Sequence, residues 1–355
     1  MGLFGLAKKK VATFGLDIGS SAVKIIELVP IKTGYVLKSF AMADLPRNAI
    51  NEGSIRQPGV VTEAIRECVQ RAGVASAGAV ISVSGRDSIV KRVPLPRVSA
   101  KELHDAIYLE ARHHIPFAID DVFLDYQVVS ESANSMSVLL VATKKVKVLE
   151  YISVVEDAGL EASVVDLDAF AIQNQYELGV AGGEGAEAVA LIDIGASVMK
   201  TNVIHGGASV FARDVPFGGN NYTDTIAQRL GIPIERAEAA KRGDEVGVNW
   251  DDLVPALEAV SRELSLEVQR TFDYFASTAE SERIGKIVLS GGCAKLAGIG
   301  DFLASSWGVP VELAHPLAAV DRDPPQADDE ELRNADCLLA VAVGLGLRSV
   351  GDKTS

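Results

Sequence analysis

The sequence predicts an α/β protein of two related lobes, the first carrying a small α+β insert. Three observations lead there. The composition is ordinary for a globular chain, with 48% of the 355 residues hydrophobic and 23% charged. A chain this long holds about two domains. A segment near the N-terminus also recurs about half a chain length later, so the two domains read as copies of one plan.

The repeat is specific. Residues 14–28 read FGLDIGSSAVKIIEL and residues 190–204 read ALIDIGASVMKTNVI. With Asp17 on Asp193, Ile18 matches Ile194, Gly19 matches Gly195, Ser21 matches Ser197 and Lys24 matches Lys200. Each copy is an apolar run, a Gly/Ser turn and a second β-branched run, which predicts a hairpin. A dinucleotide loop would need Gly-x-Gly-x-x-Gly opening a helix, and a Walker loop Gly-x-x-x-x-Gly-Lys-Ser/Thr; neither pattern is present. Backbone N–H groups in such turns form anion-binding nests. Ser20 and Ser21 add hydroxyl donors, and Lys24 adds a point charge. Asp17 and Asp193, just ahead of the turns, suit a hydrated Mg²⁺ between two phosphate loops. One copy alone is ordinary turn chemistry; two at half-chain spacing are what make a shared phosphate site.

The elements follow in order. Residues 1–11 read as a flexible N-terminus, with Lys8, Lys9 and Lys10 able to touch an anionic surface. Residues 12–185 form the first lobe. After the hairpin, Val61, Ile65 and Val69 recur at helical spacing and Val80–Val83 reads as a strand. Residues 86–165 read as the α+β insert. Its strand Ile89–Val93 is stopped by Pro94-x-Pro96. Its helix Ser99–His114 has Ser99 and Glu102 as a capping box. Strands at 121–130 and 137–143 and a helix at 144–159 follow. Residues 186–347 form the second lobe, with a helical subdomain at 220–286 whose stripe Leu257, Val260, Leu264, Val268, Phe272 and Phe275 faces a core. Residues 321–331, with six acidic residues and two prolines, read as a solvated loop. Residues 335–347 read as a buried closing helix and 348–355 as a tail.

Composition also excludes. There are 34 Lys and Arg against 48 Asp and Glu, a net charge of -14, unlike the basic domains of nucleic-acid binders. Cys68, Cys293 and Cys337 are isolated, so no disulfide framework or zinc spacing exists and a reducing compartment is expected. The apolar run Leu338–Leu347 is about half of a membrane span. His113 and His114 have no partner at metal spacing and read as helix-end residues.

The two repeat segments resemble the paired phosphate motifs of the actin-like (ribonuclease H-like) ATPase superfamily. Ile287–Ala294, a strand ending in Gly291, Gly292 and Cys293, is similar to its adenosine motif. Pro216–Thr223, with Gly218, Gly219 and Asn220, is similar to the glycine pair after the second phosphate strands. Glu238 and Lys241, three apart and so on one helical face, resemble the pair that flanks ribose and base in FtsA-like members. The resemblance implies ATP and Mg²⁺ as cofactors. Its phosphate contacts would be Gly19, Ser20, Ser21, Lys24, Gly195, Ala196, Ser197 and Lys200. Gly218, Gly219, Asn220, Glu238, Lys241, Gly291, Gly292 and Cys293 would hold the nucleoside side, with Asp17 and Asp193 on the metal through water.

The stretches Val93–Pro96, Glu110–Arg112, Ile115–Phe117, Asp125–Tyr126 and Val165–Phe170 are similar, within the superfamily, to the PilM family of type IV pilus assembly. That resemblance covers residues 12–346. It implies a cytoplasmic scaffold, peripheral at the inner membrane through partners. Those partners are the cytoplasmic N-terminal peptide of PilN, received between the first lobe and the insert, and motor ATPases of the PilB/PilT type. Hydrolysis needs a water-positioning carboxylate. Asp168, then Asp166, occupies the matching stretch; both can equally cap the helix expected from Ala169. The expectation is at most a slow ATPase, no faster than about one turnover per minute. Two other functions fit the phosphate loops: a small-molecule kinase of the sugar kinase type, which would need a substrate base in the cleft, and an FtsA-like filament protein, which would need an amphipathic C-terminal tail.

Overall fold

A computed structural model describes residues 13–99, 101–180, 187–278, 283–322 and 329–352. The N-terminal segment with Lys8–Lys10 and the last three residues lie outside them.

Each repeat copy folds as the hairpin its pattern predicts. In the first lobe, β1 (Thr13–Ile18) pairs antiparallel with β2 (Ala22–Ile31), with Asp17 opposite Lys24. β3 (Gly34–Asp44) continues the meander, and the short pair β4 (Ile50–Asn51) and β5 (Ser54–Ile55) leads into α1 (Pro58–Ala72). Val61, Ile65 and Cys68 of α1 are buried against β2 and β3. β6 (Gly78–Val83) then runs parallel to β1.

The chain next leaves this sheet. β7 (Ser88–Pro96), α2 (Leu103–His114), β8 (Val122–Glu131) and β9 (Ser135–Lys144) form the insert, a three-stranded sheet of order β7-β9-β8 with its own apolar core. β7 does not stop at Pro94. It stays paired with β9 through Pro96, because β7 is an edge strand and prolines there remove no ladder donor. The capping box is half formed. The Ser99 N–H donates to Glu102 Oε2 at 3.2 Å, but the Ser99 hydroxyl donates to the same oxygen at 2.7 Å, so it caps no backbone group, and the helix starts only at Leu103.

α3 (Lys145–Asp157), β10 (Glu161–Leu167) and α4 (Asp168–Gly179) return to the first lobe, where β10 pairs parallel with β6. The separate insert sheet therefore ends at Lys144, earlier than the expected boundary near 165.

The second lobe repeats the plan. β11 (Ala188–Ile194) pairs antiparallel with β12 (Met199–His205), with Asp193 opposite Lys200, and β12 pairs with β13 (Ala208–Val215). The helices α5 (Gly219–Leu230), α6 (Ile234–Arg242) and α7 (Trp250–Thr278) follow, with Val260, Leu264, Val268 and Phe275 of α7 buried. Residues 284–286, expected as helix, open β14 (Ile284–Ser290), which runs parallel to β11 as β6 does to β1. α8 (Ile299–Trp307) and β15 (Val311–Leu313) complete the five-stranded sheet β13-β12-β11-β14-β15.

The last elements cross back. β16 (Val320–Arg322) joins β3 and makes the first sheet six-stranded, and α9 (Asp329–Ala335) follows. The acidic stretch expected as loop is thus partly strand and partly helix, held where Arg71 meets Glu331 at 3.0 Å. α10 (Ala340–Gly346) is buried along its whole length. Its Val341 and Leu345 share one core with Val80 and Ile172 of the first lobe and Leu191 and Val288 of the second. It can lie this close because a Cβ on Gly344 would overlap Ala171 of α4, and one on Gly15 would sit 2.5 Å from the Gly346 nitrogen. Arg348, expected in a loose tail, is anchored 3.5 Å from Asp166.

Candidate nucleotide-binding cleft

The two hairpin turns face each other at the seam between lobes. Each is closed the same way: Gly19 N–H donates to Ala22 O, and Gly195 N–H to Val198 O, both at 3.1 Å. The turns themselves meet, with the Ser20 and Ser197 hydroxyl oxygens 2.6 Å apart.

Below the turns lies a buried charge network. Lys24 Nζ is 2.7 Å from Asp17 Oδ2. Lys200 Nζ is 3.1 Å from Asp193 Oδ1 and 3.0 Å from Asp168 Oδ2, so one lysine ties the second lobe to the first residue of α4. Ser290 donates to Asp193 Oδ2 at 2.9 Å, and Ser82 donates to Asp168 Oδ1 at 2.5 Å. Burial works against charge on Asp168, but Lys200 and Ser82 outweigh it and hold the carboxyl below its usual range. Burial likewise opposes charge on Lys200, and Asp168 and Asp193 overcome it. Asp168 is therefore ionised, neutralised and aimed into the cleft.

Asp166 is elsewhere. Its Oδ1 accepts the Leu167 N–H at 2.8 Å, and its Oδ2 faces Arg348; it is not among the cleft-lining residues. Neither carboxylate caps α4, whose N-cap is Leu167.

The side expected to hold the nucleoside is assembled from α5, α6 and the end of β14. Gly219 and Asn220 N–H groups donate to Gly195 O and Ala196 O at 2.9 and 2.8 Å, seating α5 on the second turn. Only glycine fits at 218, where a Cβ would lie 2.5 Å from Gly195 O. Lys241 Nζ contacts Glu238 Oε2 at 2.6 Å and Gly219 O at 3.2 Å, and the hypothetical Cβ of Gly219 would touch Lys241 and Cys293. Gly218, Gly219, Glu238, Lys241 and Cys293 thus form one cluster. Gly291 has φ +87° with its Cα against Ile194, and Gly292 has open space beside it. Bare backbone at both glycine pairs is what close approach of a ligand requires.

Several lining residues carried no sequence signal: Gly53, Ser84 and Tyr151 from the first lobe line the cleft wall beside Asp168. Asp214 of β13 accepts the Gly85 N–H at 2.5 Å across the lobe boundary.

The residues present fit a phosphate chain with a hydrated cation. Turn N–H groups and serine hydroxyls supply donors. Among the described residues no group of three or more metal-ligating side chains is gathered, so an ion here would take most ligands from phosphate and water.

Two matching lobes, each a hairpin turn over a buried Asp–Lys pair with a glycine-ended parallel strand beside it, define an actin-like ATPase fold. The chain belongs to the family of type IV pilus assembly protein PilM, whose family model matches residues 15–350. It is similar to a solved PilM–PilN type IV pilus biogenesis complex, with 26% identity and a TM-score of 0.84 over 97% of this chain and 100% of that one. It also shares its fold with the ethanolamine utilization protein EutJ from Carboxydothermus hydrogenoformans (16% identity, TM-score 0.57, 94% of this chain and 88% of that one). A further likeness in fold is MreB5 of Spiroplasma citri bound to AMPPNP (13% identity, TM-score 0.51, 94% of each chain). No helix among the described residues is long and apolar enough to cross a membrane.

Proposed function

We propose that the protein is an ATP- and Mg²⁺-binding scaffold of type IV pilus assembly. In this reading it receives the cytoplasmic N-terminal peptide of PilN and links the inner-membrane complex to motor ATPases of the PilB/PilT type. It is cytoplasmic and peripheral at the inner membrane through these partners. The observation that carries the reading is membership of the PilM family together with a cleft built from both copies of the Asp–Gly–Ser hairpin. Ser20, Ser21 and Ser197, with the turn N–H groups, bind the phosphates. Asp17 and Asp193 hold the waters of the ion, which neutralises phosphate charge. Glu238 and Lys241 flank the nucleoside. Asp168, held ionised by Lys200, orients water, and Asp166 takes the structural role. Closure of the lobes on nucleotide fixes the surface that partners recognise.

The peptide reading is supported by apolar side chains left exposed where the insert joins the first lobe. Val146 (79% exposed) and Leu149 (53%) share a face of α3, with Phe123 (47%) beside Lys145 on β8. The kinase and filament readings have no such support from the family match.

Thermal unfolding with and without Mg·ATP, for wild type and Asp193→Ala, tests the nucleotide half. Ligand at a hundred times its Kd adds about 2.7 kcal/mol, a shift of roughly 2 °C or more. A shift in wild type that the variant loses is the expected result. Wild type free of copurified nucleotide and showing no shift would reject it. PilN-peptide binding that survives removal of the insert would reject the groove.

A further inference from the structure

The lysines that line the cleft are already spoken for. Lys24 is bound to Asp17, and Lys200 to both Asp193 and Asp168. An incoming triphosphate brings several negative charges to a site whose own cations are neutralised. One cation next to this cleft is not committed. Lys147, in the first turn of α3, is only 4% exposed, and its Nζ has no hydrogen-bond partner among the described residues. A buried ammonium with three idle donors is costly, so a fold that keeps one has a use for it.

Its position says what use. Nζ lies 4.9 Å from the ring centroid of Tyr151, which lines the cleft and whose hydroxyl donates to Gly53 O at 2.9 Å. Gly53 is where the wall is thinnest: with φ +76° it lacks the Cβ that would stand 3.3 Å from Nζ and 2.9 Å from Ser84 O. The ammonium therefore sits directly behind the cleft wall, at the end marked by Ser84 and Asp168. Burial pulls the ammonium pKa down, while Glu150, Asp87 and Asp168 act in the opposite sense. The four-carbon stem gives Nζ reach toward the cleft, and its entry requires a small shift of the Gly53 and Ser84 backbones, which close the wall at this point.

We infer that Lys147 is a further anion-binding residue of the cleft, reaching past Gly53 to the terminal phosphate and so distinguishing a nucleoside triphosphate from a diphosphate. This rests on the nucleotide reading above. It makes Lys147 a specificity residue, because ADP lacks the phosphate it would reach.

The test is calorimetric titration of wild type, Lys147→Met and Lys147→Gln with a non-hydrolysable ATP analogue, with ADP, and with ADP plus inorganic phosphate, all with Mg²⁺. Lys147→Met should bind the triphosphate about tenfold more weakly or worse, the loss of one charge-assisted contact. ADP affinity should stay within about threefold. The unliganded variant should melt at or above the wild-type temperature, since an unpartnered buried charge has gone. Lys147→Gln, which keeps a donor without the charge, should fall between and carries the reading if the Met variant does not fold. Phosphate that binds wild type only beside ADP, and neither variant, would place the same site on the cleaved phosphate and support the inference. Equal loss for ATP analogue and ADP, or no loss for either while wild type binds both, would overturn the inference alone. Wild type that binds neither nucleotide would overturn the parent reading as well.

Discussion

Ser20 and Ser197, 177 residues apart in the chain, share a hydrogen bond of 2.6 Å across the seam between lobes. The cleft beside it holds a cavity of about 70 Å³, well below the few hundred Å³ typical of small-molecule sites. On the proposed nucleotide reading, entry requires the lobes to part and each serine to exchange the other for a phosphate oxygen. Ser197→Ala should raise the Kd for Mg·ATP about fivefold to tenfold, the worth of one hydrogen bond to a charged group. The unliganded melting temperature should move by no more than about 2 °C. Calorimetry and thermal unfolding on one preparation separate the two effects. Unchanged affinity would show that this serine pair only joins the lobes.

Asp168 and Asp166 stand two residues apart and do different work. Asp168 faces the cleft, ionised by Lys200 and Ser82. Asp168→Asn should cut any ATP turnover by about a hundredfold, with Mg·ATP binding retained to within about threefold. Asp166 is pushed up by burial, with Arg348 opposing. Asp166→Asn leaves Arg348 with Asp352, 3.7 Å away, as its counter-charge and removes a buried carboxylate whose charged form burial disfavours. The melting temperature should stay within about 2 °C of wild type, with turnover per folded molecule unchanged. Turnover lost equally in both variants would defeat this division.

Much of the site could be read from residue order because its parts are local. Asp17, Gly19 and Lys24 lie in one hairpin, Asp193, Gly195 and Lys200 in its copy, and β-branched runs flank both. What was not legible is what tertiary pairing brings in. Ser84 lines the cleft and Ser82 bonds Asp168 because β6 lies beside β1, and nothing around either serine marks it. Lys147 and Gly53 meet only after the insert has left the sheet and α3 has come back. Pro94 and Pro96 look like strand stops until β7 is known to be an edge. Arg348 looks like tail because its partner, Asp166, lies in the first half of the chain.

Asp214 makes the lobe boundary sensitive to pH. Its carboxylate accepts the Gly85 N–H, and burial pushes its pKa up to about 7. The charged form is the one that folding disfavours. The stability tied to this group is therefore full in acid, below the ordinary carboxylate pKa of 3.8, and is lost as pH rises through about 7. Asp214→Asn keeps an acceptor for Gly85 without the charge. It should melt about 3–6 °C above wild type at pH 8, with the gain vanishing toward pH 4. A gain independent of pH would mean that the asparagine improves packing instead.

Arg47 and Asp224 hold the rim of the same seam. Arg47 follows Leu45, whose N–H is bound to Ser21 O at 2.8 Å, so the arginine moves with the first hairpin turn. Asp224 lies on α5, which is seated on the second turn, and Arg47 Nη2 is 2.5 Å from its Oδ2. The Asp224 side chain is 57% exposed, so the pair contributes at most about 1 kcal/mol to stability. Its position gives it leverage over opening, because the lobes cannot part without breaking it. Asp224→Ala should speed release of a fluorescent ATP analogue about threefold to fivefold, as expected for a barrier lowered by less than 1 kcal/mol. Melting should stay within about 2 °C. Salt should mimic the substitution in wild type and have little further effect in the variant, since exposed pairs are screened. Release that is equally fast in wild type and variant at low salt would show that this rim pair does not limit opening.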